Sequence, residues 1–594
     1  MNTQKIDPIP SDSADLKKES SIFRRSGNTV FWGILGPASV FLFTFCLLFW
    51  GANRLPLTWD EGDSFDRADK ILAWFDLLAE PAGQDPFSPS VLQEYWPNTV
   101  YLEGHPAGYS FLIAMGKNFA SLFGNFFTKA DPYRFAPIFF FALAMGIVYR
   151  KIGQYFGSGA GIAAVGAILL IPRLFAHAQI GACDSLLISF WIFVWAFFDS
   201  ALKNFSGSIF WGILLGMALS IKFTAWLVPI PFLCVLFTGL FLGLDRKTFC
   251  RILLISFPLS LIVFYLMNPP IWFDPIGGLK TFLYLNLHRN ENFNIGIWFL
   301  KGYCDLNHPL PWYNAFFWIL ITVPSGILFL FFYSLLRIPF KGGEKIGFKQ
   351  EERKGTRITS RGMFFLILLN FLLLPIIRSF PGVPVHDGIR LFIPAFAFLG
   401  MMAGVGASEC WTSFPSRSAK SLLLRIGLFS ILIVSFFNLF WYSPHWLSYC
   451  NILIGGPKGA RSAGMEITYY WDGLDEETRL KLRPENEEKI PVSKVLFSAF
   501  SQKTLDRYRK WGDFPMEVRT VSAGGTLSDP ENYRYYVLQL RESGLSPADF
   551  LIMRKAKPVF RKEIRSGGIG PWDLSGVYLI EIYDFSDLIR ISKE

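Results

Sequence analysis

Apolar runs of roughly 18 to 22 residues recur along this 594-residue chain, each long enough to cross the hydrocarbon core of a bilayer as a helix. Only 18% of the residues are charged, where a soluble domain of this size would carry about 25%. The rest of the composition, 52% hydrophobic and 17% aromatic, fits a polytopic α-helical membrane protein. The first run, Phe31 to Trp50, follows Lys17, Lys18, Arg24 and Arg25, and these cations favour a cytoplasmic N-terminus. It is too long for a signal-peptide core and lacks a small-x-small cleavage site, so it reads as a retained helix.

Cations mark the inner turns at Tyr149-Arg150-Lys151, Lys203, Asp245-Arg246-Lys247, the stretch 337–361, and Arg417 with Lys420. The spans that fit lie near 31–50, 132–150, 158–174, 185–203, 206–221, 223–243, 250–268, 312–335, 362–378, 389–408 and 421–443. Eleven crossings put the C-terminal part outside. The apolar stretch 107–124 carries Lys117 and Asn118 at its centre, and counting it as a span would put Arg150-Lys151 outside. Leu112, Met115, Phe119 and Leu122 repeat at helical spacing, so it reads as a helix lying in the interface. Residues 63–80 carry a similar face of Phe65, Ala68, Leu72 and Phe75.

The organisation expected is a cytoplasmic tail over 1–30 and a membrane body over 31–445, with outer loops at 52–131 and 269–311. A soluble α/β domain follows over 446–594. There Lys494–Phe500, Tyr535–Leu540 and Val577–Tyr583 read as strands, with helices near 475–482, 501–511 and 546–555. The net charge of +10 comes from cations at inner loop ends. That is positive-inside bias with attraction to anionic membrane lipid, not a nucleic-acid footprint. Seven cysteines lie scattered without metal spacing. No internal repeat is visible, which weakens an inverted-repeat transporter reading.

Once this topology is drawn, the suspicious polar residues fall on the outer side. Asp60 and Glu61 begin the first outer loop, which runs on to His105-Pro106. Arg173, His177 and Asp184 bracket the second, and Lys222 sits at the outer end of the fifth span. His288, Arg289, Asp305 and His308 lie in loop 269–311, and His386, Asp387 and Arg390 close the last outer loop between spans. Polar residues belong at span ends in any membrane protein, and an acidic pair is a common start to a solvated loop. Adjacent carboxylates just outside a bilayer also ionise cheaply and can serve as a base toward a substrate at the lipid surface. Lys222 and Arg390 read either as interfacial anchors or as a clamp on phosphate, Arg by bidentate geometry and Lys as a point charge.

In order and placement, Asp60-Glu61, His105-Pro106, Cys183-Asp184, Lys222, His308-Pro-Leu-Pro-Trp-Tyr313 and His386-Asp-Gly-Ile-Arg-Leu-Phe-Ile-Pro394 resemble the GT-C glycosyltransferases. The resemblance is to the protein O-mannosyltransferase and aminoarabinose transferase type and covers roughly residues 30–445. The segment from Gly455-Gly-Pro-Lys-Gly-Ala-Arg461 to Tyr469-Tyr-Trp-Asp472 resembles the stretch after the last span in bacterial members. The resemblance implies transfer of a sugar from a polyprenyl-phosphate carrier to an acceptor outside the membrane. Asp60 takes the position of the base, supported by Glu61. Lys222 and Arg390 take those of contacts to the lipid phosphate, and Asp184 matches the second-loop acidic position. The chain departs from the family at His-Pro-Ala, where relatives often have His-Pro-Pro.

The chemistry agrees with that reading. The acceptor hydroxyl must lose a proton to a positioned carboxylate, and cations can stabilise the departing phosphate without a general acid. One base and one cationic clamp suit in-line, inverting attack better than the paired carboxylates of a retaining glycosidase do. No cofactor is required. A divalent metal is compatible with Asp60, Glu61, Asp184 and His105, but no close ligand spacing demands one. The rivals are a flippase for a polyprenyl-linked glycan, an oligosaccharide ligase with the same donor chemistry, and a membrane scaffold. The sequence does not name the sugar or the acceptor. The bacterial look of the segment after the last span favours a bacterial inner membrane, with the tail expected in the periplasm.

Overall fold

The computed structural model describes residues 13–81, 83–96, 104–289, 295–339, 346–351, 355–386, 388–413, 418–468, 470, 472–482, 494–514, 519–522, 533–564 and 576–593. Helix occupies every one of the eleven apolar stretches. Among the described residues, five helices are long and apolar enough to cross a membrane: Gly33–Ala52, Asp131–Phe156, Cys183–Lys203, Arg246–Leu266 and Ser360–Ile377. The chain is a multi-pass membrane protein. Leu42, Phe43, Leu254, Leu423, Phe429 and Phe437 are exposed on helices of this body, which only a lipid surround makes favourable.

Three stretches expected as single spans are instead broken by proline, which lacks the N–H that would continue a helix. Residues 158–174 divide into Ser158–Leu169 and Pro172–His177. Residues 223–243 open as a tight 3₁₀ turn, Phe223–Leu227, before Pro229–Gly239. Residues 312–335 split at Val323-Pro324 into Asn314–Thr322 and Ser325–Arg337. The body closes around Pro394–Thr412, which packs on Ser158–Leu169. A Cβ on Gly404 would lie 2.2 Å from the Ala164 nitrogen, so glycine permits this approach, as small residues do between membrane helices.

The loop over 52–131 holds the two expected helices, Glu61–Ala79 and Gly108–Ser121. Phe65, Ala68, Ile71 and Trp74 are the buried face of the first. The second buries Tyr109, Leu112, Ile113, Gly116 and Ala120, and leaves the expected face residues Phe119 and Leu122 exposed. It packs against Asp131–Phe156 and Glu61–Ala79, and this contact rather than the longest apolar stripe decides its inner face.

Two short hairpins lie in the connecting loops: β1 (Ile297–Phe299) with β2 (Gly302–Cys304), and β3 (Phe348–Glu351) with β4 (Gly355–Ile358). Beyond the last long helix a mixed sheet forms from β5 (Lys494–Phe497), β6 (Arg519–Ser522), β7 (Tyr533–Gln539), β8 (Phe560–Ile564) and β9 (Val577–Asp584). Its order is β6-β5-β7-β9-β8, with β5 parallel to β6 and β7, and β9 antiparallel to β7 and β8. The strands expected near 494, 535 and 577 and the helices Glu476–Lys481, Gln502–Lys510 and Pro547–Lys555 are all present; β6 and β8 complete the sheet. Val495, Phe497, Val537 and Ile580 join the same continuous core as the membrane helices. A small second core forms around Leu496, Tyr536, Leu538 and Tyr583.

The helix Gln502–Lys510 fastens the tail to the loop over 52–131. Arg507 donates to Asp66 at 2.5 Å, to Asp69 at 2.5 Å and to the Tyr133 hydroxyl at 3.0 Å. Lys503 pairs with Asp63, and Lys129 with Asp513 at 2.6 Å. The Leu57 N–H donates to the Tyr508 hydroxyl at 2.6 Å. A Cβ on Gly62 would lie 2.4 Å from the Thr504 nitrogen, so this contact too requires glycine.

Candidate active site

Four segments far apart in sequence converge in one charge network. Asp60 stands at the N-cap of Glu61–Ala79, Asp184 in the first turn of Cys183–Lys203, and Lys222 in the extended break after Phe205–Leu219. Arg390 lies in a 3₁₀ turn before Pro394–Thr412. Its Nη2 donates to Asp60 Oδ2, and its Nε donates to Asp184 Oδ2 at 3.2 Å. Lys222 Nζ donates to the other Asp184 oxygen at 2.5 Å. Asp184 and Lys222 are buried, whereas the Asp60 side chain is 31% exposed. One carboxylate of the network therefore meets solvent with Arg390 beside it, and buried Asp184 links Arg390 to Lys222.

Glu61 points elsewhere. It is fully buried and pairs with Arg134 through two parallel bonds, Nε to Oε1 and Nη2 to Oε2, each 2.7 Å. The Thr58 N–H at 2.9 Å, the Thr58 hydroxyl at 3.2 Å and the Gly181 N–H at 2.9 Å also donate to it. Arg134 donates as well to the carbonyls of Ala52 and Leu55 at 2.8 Å and of Pro56 at 3.0 Å. Glu61 thus ties the first span, the first loop and the second loop together one residue away from Asp60.

His105 and His386 stand near one set of cations. Burial, with Arg289, Arg67, Lys222 and Arg390 close by, holds the His105 pKa well below the usual histidine range. Burial, with Arg390, Lys222, Arg378 and Arg289, does the same to His386. Both rings are neutral near pH 7. Arg289 Nη2 donates to His105 Nε2 at 3.4 Å, and His105 Nδ1 has no partner among the described residues. The Asn268 side chain accepts from the Ala107 N–H at 2.8 Å and so fixes the His-Pro-Ala turn. His177 is buried with its pKa near 3, chiefly through desolvation, and meets the Tyr470 ring edge-on at 5.6 Å.

Other residues singled out in the sequence lie apart. His308 is 74% exposed and bonds to Asp305, not to the network. His288 stacks on Tyr284, and Arg173 donates to the Tyr449 carbonyl at 2.9 Å. Asp387 lies outside the described residues. Among the described residues no three His, Cys, Asp or Glu side chains gather as metal ligands. Asp60 and Asp184 meet through Arg390, Glu61 is bound to Arg134, and His105 faces Arg289.

Two participants escape a reading of the sequence. Arg134 lies inside an apolar run, and its charge is itself the signal, because an arginine 1% exposed in a membrane helix must have a partner. Tyr470 comes from the segment after the last span. Its hydroxyl donates to Asp60 Oδ2 at 3.0 Å, and the Arg390 guanidinium lies 4.2 Å from its ring centre.

A carboxylate–cation network thus lies in a multi-pass helical membrane protein, with a partly exposed aspartate at its edge. Residues 104–273 match the family model described as dolichyl-phosphate-mannose-protein mannosyltransferase. That stretch is less than a third of the chain; it holds His105, Asp184 and Lys222, and over it the resemblance read from the motifs is borne out. No curated protein sequence matches the chain. Among solved structures, apo ArnT from Cupriavidus metallidurans is similar at 11% identity and a TM-score of 0.49, covering 95% of this chain and 99% of that one. The same protein bound to undecaprenyl phosphate gives 12% identity and 0.46, over 92% and 98%. The oligosaccharyltransferase AglB from Archaeoglobus fulgidus, in complex with an inhibitory peptide and a dolichol-phosphate, gives 11% and 0.43, over 92% and 74%.

Proposed function

We propose that this protein is an integral-membrane, inverting glycosyltransferase that moves a sugar from a polyprenyl-phosphate carrier to an acceptor hydroxyl outside the membrane. The observation that carries the reading is the arrangement of Asp60, Arg390, Asp184 and Lys222 in one network. It offers a solvent-reachable carboxylate bonded to Arg390, and Asp184 bridges Arg390 to Lys222. The family description of residues 104–273, which names a lipid-linked sugar phosphate, supports it.

In this mechanism the acceptor oxygen attacks the anomeric carbon, and its proton passes to Asp60. The bond from the anomeric carbon to the phosphate oxygen breaks, and the electron pair leaves with the phosphate. Arg390 and Lys222 stabilise the charge that develops there, so no protonated leaving group is needed. Asp184 orients both cations. The neutral rings of His105 and His386 border the donor end and can hydrogen-bond sugar or phosphate without adding charge. Glu61 is a support that fixes the backbone carrying Asp60. The reaction as drawn uses no cofactor.

The domain reading goes with it: a cytoplasmic tail over 1–30, a catalytic membrane body over 31–445, and an extracytoplasmic unit over 446–594 that contributes Tyr470 and braces the first loop. A bacterial inner membrane, with that unit in the periplasm, is the proposed location. Donor recognition is tested by titrating the purified protein with polyprenyl phosphate. Saturable binding that Arg390→Ala weakens at least tenfold, and Asp60→Asn preserves, supports the assignment. Binding unaffected by Arg390→Ala would overturn the phosphate contact.

A further inference from the structure

Asp60 is reached by two donors, one from the membrane body and one from the segment after the last long helix. Arg390 and Tyr470 both bond to Oδ2, while no hydrogen bond reaches Oδ1 among the described residues. A base needs such an arrangement, with one oxygen held and the other open toward the proton it accepts. Cys183 stands close by, and Asp184, Lys222 and His177 lie beyond Arg390. Tyr470 is supplied by the tail.

Its position is over-determined. The Tyr470 carbonyl accepts from the Trp59 N–H at 3.3 Å, next to Asp60 itself. Two residues on, the Asp472 carbonyl accepts from His445 Nδ1 at 3.1 Å. Upstream, the Glu466 carboxylate accepts from Arg541 at 3.3 Å and from the Ser543 N–H at 2.7 Å. The Lys301 N–H donates to the Gly464 carbonyl at 3.1 Å. The segment is thus pinned to the first outer loop, the end of the last long helix and the tail sheet together. Tyr470 is fully buried, its ring packed between Arg390 and His177.

We infer that Tyr470 is a positioning residue of the transfer reaction, through which the tail orients the Asp60 carboxylate and steadies Arg390. This rests on the reading of Asp60 as the base. The hydroxyl holds Oδ2 so that Oδ1 faces the acceptor. The ring face keeps Arg390 in the geometry that lets it serve phosphate, by an attraction separable from the hydrogen bond. Burial pushes the phenol well above its ordinary pKa, so it remains a donor throughout the working range. The tail is then a working part of the site and not only a brace on the outer loops.

Two substitutions separate these contributions. Tyr470→Phe removes the hydroxyl and keeps the ring; Tyr470→Leu removes both. Losing a hydrogen bond to a charged group is worth about a tenfold change in rate, so kcat should fall about tenfold in Tyr470→Phe. Donor KM and melting temperature should stay close to wild type. Tyr470→Leu should add about a three- to tenfold rise in donor KM. A folded Tyr470→Phe with wild-type kcat, or a fall in activity carried by donor KM or by melting temperature, overturns the assignment. Asp60→Asn in the same assay separates the two levels. Transfer lost there with kcat unchanged in Tyr470→Phe removes only the role of Tyr470, whereas transfer that survives Asp60→Asn removes the base beneath it.

Discussion

Replacing Glu61 with glutamine tests whether the second carboxylate of the pair is a support or a reactant. Glu61 and Arg134 are both at most 1% exposed, and five hydrogen bonds converge on the two carboxylate oxygens. Glutamine keeps the shape and removes the charge, so Arg134 is left buried with three backbone carbonyls as its remaining partners. One face of the new amide also turns N–H groups toward the guanidinium donors. Removing one member of a buried pair costs about 3–5 kcal/mol, and the carbonyls that still hold Arg134 place this case near the lower end. The melting temperature in detergent should fall by several degrees, while transfer measured well below it should remain within about tenfold of wild type. Replacing both partners with leucine should restore much of the loss, since an apolar pair of similar volume carries no stranded charge. A Glu61→Gln protein that melts with wild type and has lost transfer would refute this reasoning and make Glu61 a chemical participant.

Acid should weaken the fold through its buried histidines. His177 has a folded pKa near 3, below its unfolded value, so the unfolded chain takes up the proton first and stability falls as pH drops below about 6.5. At pH 5 the deficit from His177 is about 2 kcal/mol, and His177→Gln should flatten melting temperature against pH; an unchanged slope would contradict it. Proteolysis of right-side-out spheroplasts should cut residues within 460–594, and a protected tail would contradict the proposed topology.

Much of the architecture is legible because hydropathy acts over many residues at once. Each apolar stretch from 31–50 to 421–443 holds helix, and Asp60, Asp184, Lys222 and Arg390, which the cation pattern assigns to one side, come together in one network. The breaks at Pro172, at Pro229 and at Pro324 are local backbone effects that average hydropathy passes over. The division of labour between Asp60 and Glu61 is not legible, since neighbours in sequence point in different directions from the start of a helix. It depends on Arg134, 73 residues away, which claims one of them. Tyr470 is hidden for the same reason: its partner Asp60 is 410 residues away, and the packing of the tail on the first loop brings them together. His308 shows the converse, a residue in a family-like segment whose side chain stands in solvent.

Transfer itself tests the central claim. Purified protein, offered polyprenyl-phosphate sugars and a pool of hydroxyl acceptors, should release polyprenyl phosphate and form an inverted glycoside. Asp60→Asn, folded and still binding polyprenyl phosphate, should lose that activity by about a hundredfold or more. Transfer that persists at the wild-type rate in Asp60→Asn would contradict the account.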